Sequence, residues 1–224
     1  MIRANQSNLK ANPDMEISLT DAGKRYNREW IFRHLSVEFT PKHRYAITGP
    51  NGSGKSTLLQ TLSGYIQLNE GSIEHRLNGT AIVQDAIYRQ FSIAAPYLSL
   101  VEEMTAVELI HFHQQLKPLS LPANELLTLA RLDNEKKKPI RYFSSGMKQR
   151  LKLALAFFSL TDLLLLDEPL TNLDAAGAEL YHDWSKSYLN DRLVVIASNN
   201  PEEYRSCDRI LTIGPEKKIE LRSA

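Results

Sequence analysis

The chain contains a glycine-rich segment, GPNGSGKST, whose residue types suit the binding of a polyphosphate. Glycines let the backbone wrap a phosphate group so that successive amides point at it, and Lys55 places a cation between the β- and γ-phosphates. The hydroxyl of Ser56 is a natural ligand for Mg²⁺. We predict that this segment, here called the phosphate loop, binds nucleotide through Gly49, Pro50, Asn51, Gly52, Ser53, Gly54, Lys55, Ser56 and Thr57.

A glycine-rich turn with an unrelated lysine is the alternative interpretation of this segment. The flanking sequence decides between the two, because a predicted strand over residues 45–48 precedes the glycines and a predicted helix over residues 56–65 follows them. A strand, this loop and a helix in that order are the context in which the motif binds phosphate. The sequence therefore favours a nucleotide site.

Two adjacent carboxylates, Asp167 and Glu168, end the apolar segment LLLLDEP. Ligands of open α/β sheets bind at the carboxyl ends of the strands, so we predict that Asp167 holds Mg²⁺ or its water shell. Glu168 is then placed to polarise the attacking water as general base. Taken alone, a strand that ends in Asp-Glu is as often a helix cap or a solvated loop. The phosphate loop in the same chain favours the catalytic interpretation.

Length and composition limit the possible architectures and partners. A chain of 224 residues with 42% hydrophobic content can bury the core of one domain with a smaller inserted lobe. The formal charge of +1 gives no basic surplus for a nucleic-acid backbone, so no nucleic-acid partner is predicted. A single cysteine, Cys207, fits a reducing compartment. No apolar run approaches the roughly 20 residues of a membrane span, so any membrane role requires a partner.

The remaining segments predict a sheet, then a helical lobe, then a second set of strands. Strands are predicted over residues 17–19, 31–39, 45–48, 71–77, 81–84, 163–166 and 193–197, and a hairpin turns at Gly214 and Pro215. Turns are predicted at Gly23 and Pro41. Helices are predicted over residues 56–65, 103–116, 124–132, 145–158 and 174–189. The predicted organisation is a flexible N-terminus over residues 1–14 and one domain over residues 15–224, with the helical lobe at about 95–160.

A third segment, FSSGMKQR, resembles the LSGGQxQR signature of ABC ATPases, with matches at Ser144, Gly146, Gln149 and Arg150. It precedes LLLLDEP as in that family, and the resemblance extends over residues 17–213. It implies an α/β fold: a P-loop NTPase core with a mixed sheet, an N-terminal antiparallel β subdomain and an inserted helical subdomain. If the resemblance is set aside, the segment predicts an ordinary helix with a serine N-cap. Both interpretations hold together, because a cap and an anion use the same amides.

The resemblance also implies roles for residues outside the phosphate loop. Ser144 and Gly146 are expected to bind the γ-phosphate held by a second copy of the chain, so that two copies sandwich Mg²⁺ and ATP as a homodimer. Tyr26 resembles the aromatic residue that stacks on adenine, although by itself it is more often a half-buried strand tyrosine. Asp174, in TNLD, resembles part of the loop that touches the opposite subunit.

Two positions depart from the family. Where the family has a histidine that contacts the γ-phosphate, this chain has Asn199, which can donate a hydrogen bond but cannot carry a positive charge. We count Asn199 as a catalytic residue and predict slow turnover. The family's glutamine at the end of the strand leading into the helical lobe corresponds to Pro96 or Tyr97, and Gln84 and Gln90 are too early. Signalling between nucleotide and partner is then expected through the backbone or Tyr97.

The implied function is an ATP-binding and ATP-hydrolysing subunit of an ABC transporter, acting on a separate membrane permease. The expected location is cytoplasmic, peripheral on the inner face of the membrane, with permease contact through residues 94–101, which are apolar for a surface loop. The lack of a C-terminal extension or fused membrane domain favours an exporter. The alternatives are a non-transport ABC ATPase, which would carry a long coiled coil or a second cassette, and a regulatory subunit with slow turnover.

Overall fold

The structure is a computed structural model that describes residues 14–41, 43–189, 192–214 and 218–223. The strands in chain order are β1 (Met15–Tyr26), β2 (Glu29–Phe39), β3 (Arg44–Thr48), β4 (Glu70–Leu77), β5 (Thr80–Ala81), β6 (Phe91–Ala94), β7 (Leu163–Asp167), β8 (Leu193–Ala197), β9 (Arg209–Ile213) and β10 (Ile219–Ser223). The α-helices are α1 (Lys55–Leu62), α2 (Ala106–Leu116), α3 (Ala123–Leu129), α4 (Ser145–Phe158) and α5 (Ala175–Ser187). Short 3₁₀ turns cover Gln84–Arg89, Asp133–Glu135 and Ile140–Tyr142.

The strands form two sheets. An antiparallel sheet has the order β2-β1-β4-β5, and a mixed sheet has the order β10-β9-β3-β8-β7-β6. In the mixed sheet β10 is antiparallel to β9, and the other neighbours are parallel. The predicted mixed sheet, antiparallel β subdomain and terminal hairpin are thus present, although Pro215 and residues 1–13 lie outside the described residues.

The centre of the mixed sheet is covered on both faces. Leu164 and Leu166 of β7 pack with helices α2 to α5, whereas Leu163 and Leu165 pack with α1 and the antiparallel sheet. All residues of β7 and β8 are buried, which explains why both strands appear in the sequence as continuous apolar runs. The parallel pairing aligns the carboxyl ends of β3, β7 and β8, so the loops that follow these strands meet at one edge of the sheet.

Helices α2, α3 and α4 lie between β6 and β7 in the chain, within the interval predicted for the helical lobe. Helix α4 is joined to β6 and the segment after it by three polar contacts spaced four residues apart. Ser92 Oγ donates to Ala156 O at 2.8 Å, Lys152 Nζ donates to Ala95 O at 3.0 Å, and Lys148 Nζ pairs with Glu102 Oε1 at 2.5 Å. Positions four apart share one helix face, so α4 holds this segment along that face. None of the helices within the described ranges is long and apolar enough to cross a bilayer.

Two sequence predictions about the antiparallel sheet are wrong. Gly23 lies inside β1 instead of in a turn, because register shifts after Leu19 let the strand continue. A Cβ atom at Gly23 would lie 2.9 Å from the ring of Trp30, so a side chain would crowd the neighbouring strand. The strand predicted over residues 81–84 is also shorter, since β5 ends at Ala81 and a 3₁₀ turn begins at Gln84.

Candidate nucleotide site

The phosphate loop connects β3 to α1 and takes a backbone path that requires glycine. Gly49 has φ 145° and Gly54 has φ 109°, both in the region that L side chains avoid. A Cβ atom at Gly54 would also lie 2.2 Å from Ile31 Cγ2, so a side chain fits neither the dihedral angle nor the space. The loop leads directly into the first turn of α1, whose amides have no partners within the helix. Those free amides and the helix dipole favour an anion at this position.

Lys55 is buried, with 5% of its surface exposed, and its ammonium group lies within the loop. Its Nζ donates to the carbonyl oxygens of Gly49 at 2.9 Å and Pro50 at 3.3 Å. The hydroxyl of Ser53 is also buried and has no hydrogen-bond partner among the described residues. A polyphosphate in the loop would therefore meet a cation and a free hydroxyl donor.

Asp167 ends β7 as a buried carboxylate, 1% exposed, and neither oxygen makes a hydrogen bond of ordinary geometry within the described residues. Burial raises the pKa of Asp167 to about 6, and the charge of Glu168 adds to the rise. The hydroxyl of Ser56 and the ammonium of Lys55 are near enough to favour the ionised form of Asp167 and oppose that shift. A buried carboxylate without partners is costly unless it meets a cation.

Ser56 and Asp167 supply the hard oxygen donors that Mg²⁺ prefers, so the residues present fit this ion. Within the described ranges there is no group of three or more His, Cys, Asp or Glu side chains that could hold a metal. A Mg²⁺ ion at this place would take its other ligands from phosphate oxygens and water, as is usual for nucleotide-bound magnesium.

Glu168 follows with φ 43°, an unusual value for a residue with a side chain, which costs on the order of 1–3 kcal/mol. Its amide continues the sheet by donating to Ala197 O at 2.9 Å, and its carbonyl accepts from Thr171 N at 3.0 Å. The Thr171 hydroxyl reaches Glu168 Oε2 at 3.5 Å. The residue is partly exposed, so the surroundings fix the backbone of Glu168 without burying the whole residue.

Asn199 follows β8 and lies against the phosphate loop. Its Oδ1 accepts from the amide of Gly49 at 3.2 Å, and its Nδ2 donates to Asn51 Oδ1 at 2.9 Å. The two bonds fix the orientation of the amide. The structure therefore brings together the phosphate loop, Asp167, Glu168 and Asn199 at one edge of the mixed sheet.

The other predicted site residues make local contacts. Tyr26 ends β1 with 47% of its surface exposed, and Lys24 Nζ lies 5.1 Å from its ring centroid. Ser144 caps α4 by accepting from the amide of Met147 at 3.2 Å.

Gly146 lies in the first turn of α4, where a Cβ atom would approach Asn172 O to 3.1 Å. Asp174 caps α5 by accepting from Gly177 N at 2.8 Å. Ser144, Gly146 and Asp174 thus mark the N-termini of two helices.

Tyr97, one of the two candidates for the position of the family's glutamine, lies near Asp167. The side chain of Gln60 on α1 lies near its hydroxyl and favours the ionised form of Tyr97. Burial raises the pKa of Tyr97 to about 12, and the negative charge of Asp167 contributes to the rise. The residue as a whole is nevertheless 45% exposed. Tyr97 is therefore partly exposed and at the same time lies close to residues around the phosphate loop.

Two buried residues at the site were not predicted from the sequence. Glu203, 4% exposed, accepts from the amide of Leu170 at 2.8 Å through Oε1. Gln149 of α4, 1% exposed, donates to Pro169 O at 2.9 Å. Both contacts hold the turn that follows Glu168. Glu203 gave no signal in the sequence, because NPEEYRS is typical of a solvated turn, and Gln149 was noted only as a match to the signature.

Comparisons with known protein families and sequences agree with this geometry. A family model described as "ABC transporter" matches residues 32–171. The chain is 29% identical over 223 residues to the Nod factor export ATP-binding protein I of Sinorhizobium fredii, covering 96% of this chain and 65% of that protein. It is 28% identical over 194 residues to the lantibiotic transport ATP-binding protein SrtF of Streptococcus pyogenes, covering 82% of this chain and 80% of that protein.

Solved structures share the fold. A dimeric bacterial ABC transporter cassette superposes with a TM-score of 0.79 at 20% identity, covering 92% of this chain and 98% of that one. A bacterial Atm1-family exporter with ATP bound superposes with a TM-score of 0.80 at 21% identity, covering 96% of this chain and 40% of that one. The predicted fold class is confirmed by these likenesses.

Proposed function

The chain belongs to the ABC transporter family, and from that premise we propose that it binds and hydrolyses ATP as the nucleotide-binding subunit of a transporter. The observation that carries the proposal is the meeting of a glycine-dependent phosphate loop with Asp167, Glu168 and Asn199 at one sheet edge. A purely regulatory nucleotide site would not need a general base beside the terminal phosphate.

The loop and the first turn of α1 bind the phosphates through amides, and Lys55 neutralises charge on the β- and γ-phosphates. Ser56 and Asp167 would hold Mg²⁺, which supplies further charge neutralisation when bound. Exposed Tyr26 offers a face for adenine to stack on. These interactions position the γ-phosphate beside the turn after β7.

Glu168 acts as general base in this proposal. It accepts a proton from the water whose oxygen bonds to the γ-phosphorus, while the bond from that phosphorus to the β–γ bridging oxygen breaks and ADP leaves. Asn199 gives up its bond to Asn51 and donates Nδ2–H to a γ-phosphate oxygen. A neutral amide stabilises less transition-state charge than an imidazolium, so turnover is slow.

Two copies of the chain complete each site. The capped N-terminus of α4, with Ser144 and Gly146, faces the γ-phosphate bound by the other copy, since a helix N-terminus favours an anion. Asp174 lies in the contact between copies. The likeness to a dimeric cassette supports this assembly.

A permease docks on the segment after β6. Tyr97, Leu98 and Val101 are 45%, 36% and 41% exposed there, which is a large apolar area for one short loop. Contact with a permease would bury it and would place the chain at the cytoplasmic face of the membrane. The name of the Nod factor relative supports export, and that of the lantibiotic relative supports transport. The alternative of a slow regulatory subunit is favoured by Asn199 and by the missing family glutamine near Pro96 or Tyr97.

The test is Glu168→Gln. The variant lacks a base but keeps the shape of the site, so it should bind ATP, lose hydrolysis at least about a hundredfold, and elute as an ATP-dependent dimer in size-exclusion chromatography. Glu125→Gln, an exposed change on α3, is the matched control and should behave as wild type. Normal turnover of Glu168→Gln would remove Glu168 from this role.

A further inference from the structure

Glu203 is a buried carboxylate to which the proposed mechanism assigns no task. It is 4% exposed, its Oε1 accepts from the Leu170 amide at 2.8 Å, and its Oε2 makes no hydrogen bond of ordinary geometry within the described residues. Burial raises the pKa of Glu203, while the Ser198 hydroxyl and the Leu170 amide lower it. A buried carboxylate oxygen without a hydrogen-bond partner lowers the stability of the folded state. Within the described residues, the bond from the Leu170 amide is the contact that offsets this cost.

That bond joins the two loops that carry Glu168 and Asn199. On its own loop, Glu203 donates its amide to Asn200 O at 3.0 Å, and its carbonyl accepts from the hydroxyl of Tyr181 on α5. The backbone of Glu203 is thus anchored next to Asn199. Its carboxylate reaches across to Leu170, two residues after Glu168.

The turn held in this way is the one that sets the direction of the Glu168 side chain. Glu168 has φ 43°, and the turn closes when Thr171 N donates to Glu168 O at 3.0 Å. An unfavourable dihedral angle persists only where neighbouring contacts enforce it. The Leu170 amide lies inside this turn, so an acceptor for it opposes relaxation of the strained residue.

We propose that Glu203 is a positioning residue for ATP hydrolysis, whose Oε1 holds the Leu170 amide and so keeps the turn that aims the Glu168 carboxylate. The inference rests on the proposed function, because it assigns Glu203 a part in that reaction. It requires a hydrogen-bond acceptor at the position of Oε1 and does not require a negative charge. The scheme assigns Glu203 no contact with the phosphates, so ATP binding should not depend on Glu203.

Three substitutions separate these requirements. Glu203→Leu has similar volume but no acceptor, Glu203→Gln keeps an acceptor without charge, and Glu203→Asp keeps the charge but is shorter by one methylene. Glu202→Gln is the control, because it changes the neighbouring side chain, which is partly exposed and pairs with Arg205. The measurements are kcat and KM for Mg²⁺-dependent ATP hydrolysis by the purified chain, with thermal unfolding to verify folding.

We expect Glu203→Leu and Glu203→Asp to lower kcat about tenfold to a hundredfold, because a small misplacement of a catalytic group has effects of this size. KM should stay within about twofold of wild type, as for an interaction that acts on the transition state alone. Glu203→Gln and Glu202→Gln should match wild type.

Wild-type kcat in Glu203→Leu, or in Glu203→Asp, would overturn the inference. So would a loss in Glu203→Gln as large as in Glu203→Asp, since charge would then be the requirement. If Glu203→Leu does not fold, the Asp and Gln pair still decides. A wild-type chain that binds ATP without hydrolysing it would overturn the proposed function and, with it, this role.

Discussion

Asn199 uses both ends of its amide on the phosphate loop, accepting from Gly49 N and donating to Asn51 Oδ1. Only the donor end can turn to a γ-phosphate without releasing the loop backbone. The exchange replaces one neutral hydrogen bond by one to a charged oxygen, which is stronger. Asn199 therefore suits phosphate contact, but it offers no positive charge when the terminal phosphate begins to leave.

A histidine at this position should restore that charge. We predict that Asn199→His raises kcat several-fold to about tenfold, because an added cationic donor stabilises the transition state more than a neutral amide does. The measurement is phosphate release at saturating ATP, with Asn200→His as the neighbouring control. An unchanged or lower rate in Asn199→His would show that Asn199 does not act on the phosphate.

The same residues show what the sequence could and could not predict. The phosphate loop and the Asp167–Glu168 pair were found because each is contiguous and follows an apolar strand. Glu203 was not found, because its partner Leu170 lies 33 residues away and no local pattern records that contact. Burial of a carboxylate between two loops is a property of the tertiary fold.

At the level of elements, α4 and β8 begin and end where the sequence predicts, at Ser145–Phe158 and Leu193–Ala197. Both have clear signals: a capping serine before a helical pattern, and a continuous run of β-branched and apolar residues. β1 extends well beyond the predicted residues 17–19 because its register shifts accommodate Asp21 at φ 47°. Such bulges depend on the pairing of two neighbouring strands and have no reliable signature in one strand.

Helix α2 carries a half-buried histidine that should make stability depend on pH. Burial lowers the pKa of His113 from 6.5 to about 4, and the charge of Lys117, just after the helix, contributes to the fall. The neutral ring bonds to Ser159 Oγ at 2.8 Å. Because the unfolded chain binds this proton more readily, the stabilisation is present above about pH 6.5 and is lost as pH falls toward 4.

The prediction is that His113→Gln reduces this loss. Between pH 7 and pH 4.5 the free energy of unfolding of the wild type should fall by roughly 1–3 kcal/mol more than that of the variant. Denaturant titrations at the two pH values measure the difference. Comparison with the variant matters because Asp167, whose pKa is raised by burial, shifts stability in the opposite direction. His111→Gln, an exposed change on the same helix, should follow the wild type, and identical pH dependence in His113→Gln would contradict the account.

For the whole molecule, the shared sites of the proposed dimer can be tested by mixing inactive chains. Lys55→Met removes the phosphate-loop cation, and Gly146→Asp puts a carboxylate at the N-terminus of α4. Each variant alone should be inactive. In a mixture, half of the dimers combine the two variants and contain one intact site out of two, so about one quarter of wild-type ATPase activity should return. A mixture as inactive as its components would show that each chain works without its partner's α4.

The contact of Ile31 with Gly54 ties nucleotide binding to a part of the fold that carries no phosphate ligand. Ile31 belongs to β2, and its methyl group fills the space that a side chain at position 54 would need. β2 of the antiparallel sheet therefore lies directly against the phosphate loop. If this smaller sheet loosens on warming, ATP binding should weaken while the six-stranded sheet is still folded. We therefore expect the antiparallel sheet, and not the catalytic strands, to set the upper temperature limit for activity.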